Sequence, residues 1–174
     1  MEIELGFWAE VIYGSGEYPA ALKEKLKSLG ITLGTLPSAE ENKGSSDFFG
    51  LNHYTTRVVR SCSDECGDSS DLGFQLVECP NWPGAGSTWL KKVPWGIRKL
   101  LEHIHAHWDS NKYPIMITEN GVSSAGNGTD AKPELVDEWR VNFYKDYIGQ
   151  VHRAMEGNGI NFHHKFTKNR HFHL

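Results

Sequence analysis

Two short stretches carry the residues that could do chemistry. "PIMITENG", residues 114–121, drives apolar and β-favouring residues into a carboxylate, Glu119, followed at once by Asn120 and Gly121. "DFFGLNHYTTRVV", residues 47–59, passes from an apolar run into Asn52, His53 and Tyr54. A carboxylate, an amide, an imidazole and a phenol brought together can attack an electrophilic carbon, hold hydroxyl groups or move a proton. In parallel α/β sheets the carboxyl ends of the strands open on one side, so two such tips would meet in one pocket. Taken alone, a strand-tip Glu before Asn-Gly also fits a plainer reading: Asn120-Gly121 makes a turn and Glu119 pairs with a nearby cation.

The flanking elements must place these tips. "YPAALKEKLKSLG" has Leu22, Leu26 and Leu29 on one face between Pro19 and Gly30, which predicts an amphipathic helix. Aromatic and β-branched residues predict one buried strand over 47–59, and "YPIMITENG", residues 113–121, reads as a second. Residues 60–88, rich in Ser, Asp, Gly, Cys and Pro, read as a long loop of the kind usually kept for function. "VPWGIRKLLEHIHAHW" predicts a helix opened by Pro94, with Ile97, Leu100, Leu101, Ile104 and Trp108 facing the core. A third helix is predicted from about Ala131 to Met155, with Val136, Trp139, Phe143, Tyr147 and Val151 on its stripe. Strands alternating with helices predict parallel βα units in an α/β fold. Two parallel strands make a poor sheet by themselves, so either other segments complete it or the chain holds more strands.

The totals narrow the function. One domain fits in 174 residues. A net charge of -4 gives no general attraction to nucleic acid or anionic membranes. The sequence has no apolar run of transmembrane length and does not open with a signal-peptide layout. Three cysteines, Cys62, Cys66 and Cys79, cannot all pair; Cys79 bridged to Cys62 or Cys66 would require a secreted chain. Six tryptophans serve either as core filling or as exposed rings for sugar faces.

"PIMITENGV" resembles the nucleophile motif of the family 1 glycoside hydrolases, the β-glucosidase, lactase and myrosinase group. "GFWAEVIYGSGEYPAALKEKL" resembles the family's link between its fifth and sixth barrel units. "GSSDFFGLNHYTTRVV" resembles the sixth strand, and "STWLKKVPWGIRKLL" the segment leading into the next helix. The resemblance runs from about Gly6 to Asn161. It implies part of a (β/α)8 TIM barrel, covering about the sixth and seventh βα units, and retaining hydrolysis of a β-glucoside or related glycoside. Glu119 would be the catalytic nucleophile. Tyr54 would hydrogen-bond the carboxylate and keep it ionised. Asn52 and Asn120 would join the sugar-binding groups, and Trp89 would offer an aromatic surface to the leaving group. No cofactor and no metal are implied, and neither compartment nor oligomeric state follows.

Retaining hydrolysis needs a second, protonated carboxyl group about 5–5.5 Å from the first. In the family that acid lies in an Asn-Glu-Pro motif on the fourth strand, and no Asn-Glu-Pro occurs in these 174 residues. Glu102, Glu134 and Glu138 fall on predicted helices and Asp47 precedes a strand, so each is expected on the surface. Residues 1–161 are expected to be a partial barrel and 162–174 a divergent, disordered His-rich tail. His163, His164, His171 and His173 in that tail form at most a weak metal site. Asn127-Gly128-Thr129 is a glycosylation sequon, relevant only in a secreted product. A truncated gene model, an alternative transcript or a pseudogene fragment would each produce such a chain, inactive by itself. The alternative is a non-catalytic sugar-binding or partner-dependent fragment.

Overall fold

The computed structural model describes residues 5–32, 34, 37–61, 73–77, 79–124 and 137–160. Four strands and five helices are assigned there: α1 (Gly6–Tyr13), α2 (Ala20–Ser28), α3 (Ala39–Asn42), β1 (Phe49–Asn52), β2 (Val58–Ser61), β3 (Phe74–Val77), α4 (Pro94–Trp108), β4 (Ile115–Glu119) and α5 (Glu138–Asn158). β1 and β4 pair in parallel, while β2 and β3 form a separate antiparallel pair. Parallel neighbours need a crossover, and here α4 provides it, making a βαβ unit.

The alternation of β1 explains which side faces what. Phe49, Leu51 and, just beyond the strand, His53 are buried, whereas Gly50 and Asn52 are exposed. Phe49, Leu51 and Ile115 meet Ile97, Leu101, Ile104 and Trp108 of α4 and Phe143, Tyr147, Val151 and Ala154 of α5 in one core. The spacing of these helical residues by three and four builds the apolar stripe that each helix turns to the sheet.

Helix punctuation follows local chemistry. Pro94 starts α4, where its missing N–H costs nothing, and Asp109 ends it in the left-handed region at φ 42°. Asp137 caps α5 by accepting the Arg140 N–H at 2.9 Å. At its other end, Gly159 takes φ 62°. α1 is pinned at both faces. The Trp108 indole Nε1 donates to Glu10 Oε2 at 3.0 Å, and the Tyr13 ring stacks on Phe49 at 4.5 Å between centroids. Burial alone would raise the Glu10 pKa, but the hydrogen bonds from Trp108 and Ser15 outweigh it and lower it.

Several sequence expectations need correction. The strand predicted over 47–59 is two strands, because the chain leaves the sheet at His53 and re-forms as the exposed β2. Part of the predicted long loop is likewise the strand β3. The helix read from Ala131 begins at Glu138; residues 131–136, with Val136 and Glu134, lie outside the described residues. On α2 only Leu22 is buried, and Leu29 is exposed. The helix α1 was not foreseen, since Trp8, Val11, Ile12 and Tyr13 read equally well as strand. Cys62, Cys66, the sequon and the tail histidines all lie outside the described residues.

Gly96 marks the tightest contact between α4 and the segment after β1. A Cβ built there would lie 1.8 Å from Thr56 Oγ1. Gly96→Ala is expected to lower unfolding free energy by about 1–3 kcal/mol, the usual cost of overpacking. Thr56→Ala in the same chain should recover most of that loss in urea titrations.

Candidate functional site

The site sits at the carboxyl ends of β1 and β4, where the pairing register slips. Phe49, Gly50 and Leu51 align with Ile115, Met116 and Ile117, but Asn52 aligns with Glu119, leaving Thr118 as the extra residue. By strict alternation Glu119 would share the side of Ile115 and Ile117 and be driven toward the helices. The irregularity releases it, and both Thr118 and Glu119 are exposed.

Each group at the tip is held by the facing strand. The Tyr54 phenol donates to Glu119 Oε2 at 2.5 Å. Thr118 Oγ1 donates to Asn52 Oδ1, also at 2.5 Å. The His53 N–H donates to the Glu119 carbonyl at 2.9 Å, carrying the pairing one residue past the strand. Asn120 Nδ2 donates to the His53 carbonyl at 2.7 Å. The Tyr54 pKa is raised, first by the hydrogen bond to Glu119, then by burial and the nearby negative charge. The phenol therefore remains a donor throughout the neutral range.

Trp89 lies on a closed loop that bears on the same tip. Its ring meets Tyr54 edge-on, with centroids 6.4 Å apart, and is 45% exposed. The Gly84–Lys91 bridge and the Ala85 N–H on the Leu90 carbonyl at 3.1 Å close the loop. Two clamps dock it. Thr55 Oγ1 donates to the Lys91 carbonyl at 2.8 Å and accepts the Lys91 N–H at 3.1 Å. Beyond Glu119, Ser123 accepts the Ser87 N–H on Oγ at 2.7 Å and the Gly86 N–H on its carbonyl at 3.2 Å.

Asn52, Tyr54, Glu119 and Asn120 thus share one site, with Trp89 at its rim. The other carboxylates do not join them: Glu102 pairs with Arg98 at 3.3 Å on α4, while Glu138 and Asp47 are exposed elsewhere. Sequence reasoning missed Thr118, Thr55, Ser123 and Tyr147, whose contacts are set by distant partners. Among the described residues no group of three or more His, Cys, Asp or Glu is arranged to hold a metal ion. None of their helices is long and apolar enough to cross a membrane.

His53 is the buried titratable group of the site. It is 8% exposed, and burial pushes its pKa down to about 4, against a small opposing effect of its own backbone. The folded state therefore holds it neutral, whereas the unfolded chain protonates it near pH 6.5. Its contribution to stability is complete above pH 6.5 and is lost as pH falls toward about 4. The unfolding free energy should drop across that window, by on the order of 3 kcal/mol in total. His53→Gln should flatten that part of the profile.

Comparison with known proteins is consistent with this geometry. The sequence model of Glycosyl hydrolase family 1 matches residues 1–168. The human (Homo sapiens) lactase-like protein is 38% identical over 165 residues, which are 87% of this chain and 28% of that protein. Beta-glucosidase 42 of Arabidopsis thaliana is 33% identical over 168 residues, 90% of this chain and 33% of that one. The crystal structure of beta-glucosidase 2 from the fungus Trichoderma reesei superposes with a TM-score of 0.79 at 28% identity, over 92% of this chain and 35% of that one. The chain spans about a third or less of the length of each. The described residues accordingly form part of a barrel, with no closed barrel among them.

Proposed function

The chain belongs to glycosyl hydrolase family 1, and we propose that it carries the nucleophile half of a retaining β-glucosidase-type site, with Glu119 as the nucleophile. The observation that supports this most is the carboxylate at the strand tip with Oε2 held by the Tyr54 phenol at 2.5 Å. That bond fixes one oxygen of an exposed carboxylate and leaves Oε1 to act as the attacking atom. A carboxylate so held can attack an anomeric carbon without first searching for its orientation.

In the proposed reaction a lone pair of Glu119 Oε1 forms a bond to the anomeric carbon as the glycosidic C–O bond breaks. The leaving oxygen takes the bond's electrons and a proton from a carboxylic acid. Water then attacks the same carbon, its proton passes to that acid's conjugate base, and Glu119 departs as carboxylate. Asn52 accepts from Thr118 through its oxygen, and its amide N–H groups are the donors it would offer to a sugar hydroxyl. The Asn120 amide is spent on the His53 carbonyl, so this residue ties the tip to β1 and supports the sugar site through that tie. Trp89 presents an exposed ring to the leaving group. The substrate is a β-glucoside or related glycoside. Residues 1–161 are the proposed barrel portion, and the family match runs on to residue 168.

The acid is not found in an Asn-Glu-Pro motif within these 174 residues. The polypeptide alone should therefore fail on glycosides whose leaving group needs a proton. A dinitrophenyl 2-deoxy-2-fluoro-β-glucoside needs none, because its leaving group is already a stable anion. Mass spectrometry should find the fluoroglucosyl group on Glu119, with no label on Glu119→Gln. Placed between the first five barrel units and the eighth unit of a β-glucosidase, the chain should hydrolyse an aryl glucoside, and Glu119→Gln should cut that rate about a thousandfold or more. Absence of both labelling and turnover in the fusion would sink the reading.

The exposure of Glu119, Asn52 and Trp89 supports a second reading. A carboxylate that stands in water loses the low-dielectric advantage of an enclosed site. A fragment that binds sugar without turning it over, or that folds only with a partner, would show glucoside binding and no label on Glu119.

A further inference from the structure

We propose that Tyr147 of α5 is a positioning residue for the Tyr54–Glu119 couple, its one hydroxyl fixing the backbone after β1 against the start of α4. The catalytic meaning of this role rests on the reading of Glu119 as nucleophile; the role itself rests on geometry. Tyr147 is 1% exposed, and its hydroxyl lies between two backbone groups that belong to different elements. It accepts the Val93 N–H at 3.1 Å and donates to the Tyr54 carbonyl at 3.3 Å.

The need for such a tie follows from where β1 stops. Beyond Asn52 the parallel ladder gives one more backbone bond, from the His53 N–H. After that, residues 53–55 are anchored by side chains: Asn120 on the His53 carbonyl, Tyr147 on the Tyr54 carbonyl, and Thr55 itself on Lys91. Of these three, the Tyr147 bond lands on the residue whose ring bears the phenol. A contact of 2.5 Å between that phenol and Glu119 tolerates little backbone drift.

Tyr147 is itself well fixed. Its ring stacks on Phe143, with centroids 4.1 Å apart and planes at 22°, and lies 6.0 Å from the buried His53 ring. Burial raises its pKa, opposed by the Val93 backbone bond, so the hydroxyl keeps the proton it gives to Tyr54. The start of α4 lies on the same hydroxyl through Val93, which is also buried. One buried phenol therefore sets helix and loop relative to each other, and the second phenol acts on the carboxylate.

The test follows the tyrosine Cζ resonances of the full 174-residue chain, labelled with ¹³C, through a pH titration. The Tyr54 phenol should titrate above the ordinary value of 10.0. Glu119→Gln should bring it down. Tyr147→Phe keeps the ring and its stacking but removes both hydrogen bonds, and should bring the Tyr54 titration down by at least half as much. A folded Tyr147→Phe chain with unchanged Tyr54 titration overturns the proposal, even if its melting temperature falls, because a purely structural role would move only the melt. An ordinary Tyr54 titration that ignores Glu119→Gln overturns it as well.

If Tyr147→Phe does not fold, coupling can be read in the reverse direction, since interaction free energy between two sites is reciprocal. Tyr54→Phe and Glu119→Gln change exposed or half-buried groups. Either should shift the Tyr147 Cζ and Val93 amide resonances; neither moving would overturn the role. No sugar enters these measurements. Failure of fluoroglucoside labelling with Tyr54 and Tyr147 coupled would sink the nucleophile alone, and labelling without coupling would sink the positioning role alone.

Discussion

The site depends on one slip of register. β1 and β4 run in step for three residues, and then Asn52 skips Thr118 to align with Glu119. A regular ladder would have aimed the carboxylate at the apolar layer that Ile115 and Ile117 face. There a charge without a partner would cost several kcal/mol. The irregularity places the charge on the open side without altering the core residues below it. Ile115 and Ile117 keep their packing, and the strand changes character only at its tip.

Around this slip the structure substitutes side chains for a missing ladder. Thr118, left over by the pairing, gives its hydroxyl to Asn52. Asn120, past the strand end, gives its amide to His53. Both contacts join β1 to β4 around the last backbone hydrogen bond, from the His53 N–H to the Glu119 carbonyl. The buried, neutral His53 lies beneath them and keeps the apolar layer closed under a polar tip. Its Nδ1 has no hydrogen-bond partner among the described residues, a cost that a packed imidazole at this position carries.

Much of this was legible in the sequence, and the divide is physical. An apolar run ending in Thr-Glu-Asn-Gly announces its tip because the change from buried to polar is local. The α4 and α5 stripes are equally plain, since residues three and four apart share a face whatever lies opposite. The break after Asn52 was hidden, because Tyr54, Thr55 and Thr56 all favour strand, whereas residues 53–55 are tied to Asn120, Tyr147 and Lys91, which lie far away in sequence. Tyr147 was legible as a stripe residue and Thr118 as part of the strand, but their hydrogen bonds could not be found by pattern: the partners lie 66 and 93 residues away in sequence. The exposed strand β2 and the half-buried strand β3 were obscured for a different reason, since neither shows the buried-and-exposed alternation that marks a half-covered strand.

The loop that carries Trp89 is docked at two points of opposite ancestry in the chain, Thr55 after β1 and Ser123 after β4. Both receptors are short hydroxyl side chains that accept from its backbone, so the grip ignores the loop's own sequence. Apart from the buried Leu90, the loop can therefore change side chains while its outline stays fixed. In a lineage that diversifies its ligands, position 89 would be the exchangeable face and the two hydroxyls the constant socket. The fold thus separates what a ligand meets from what holds that surface in place.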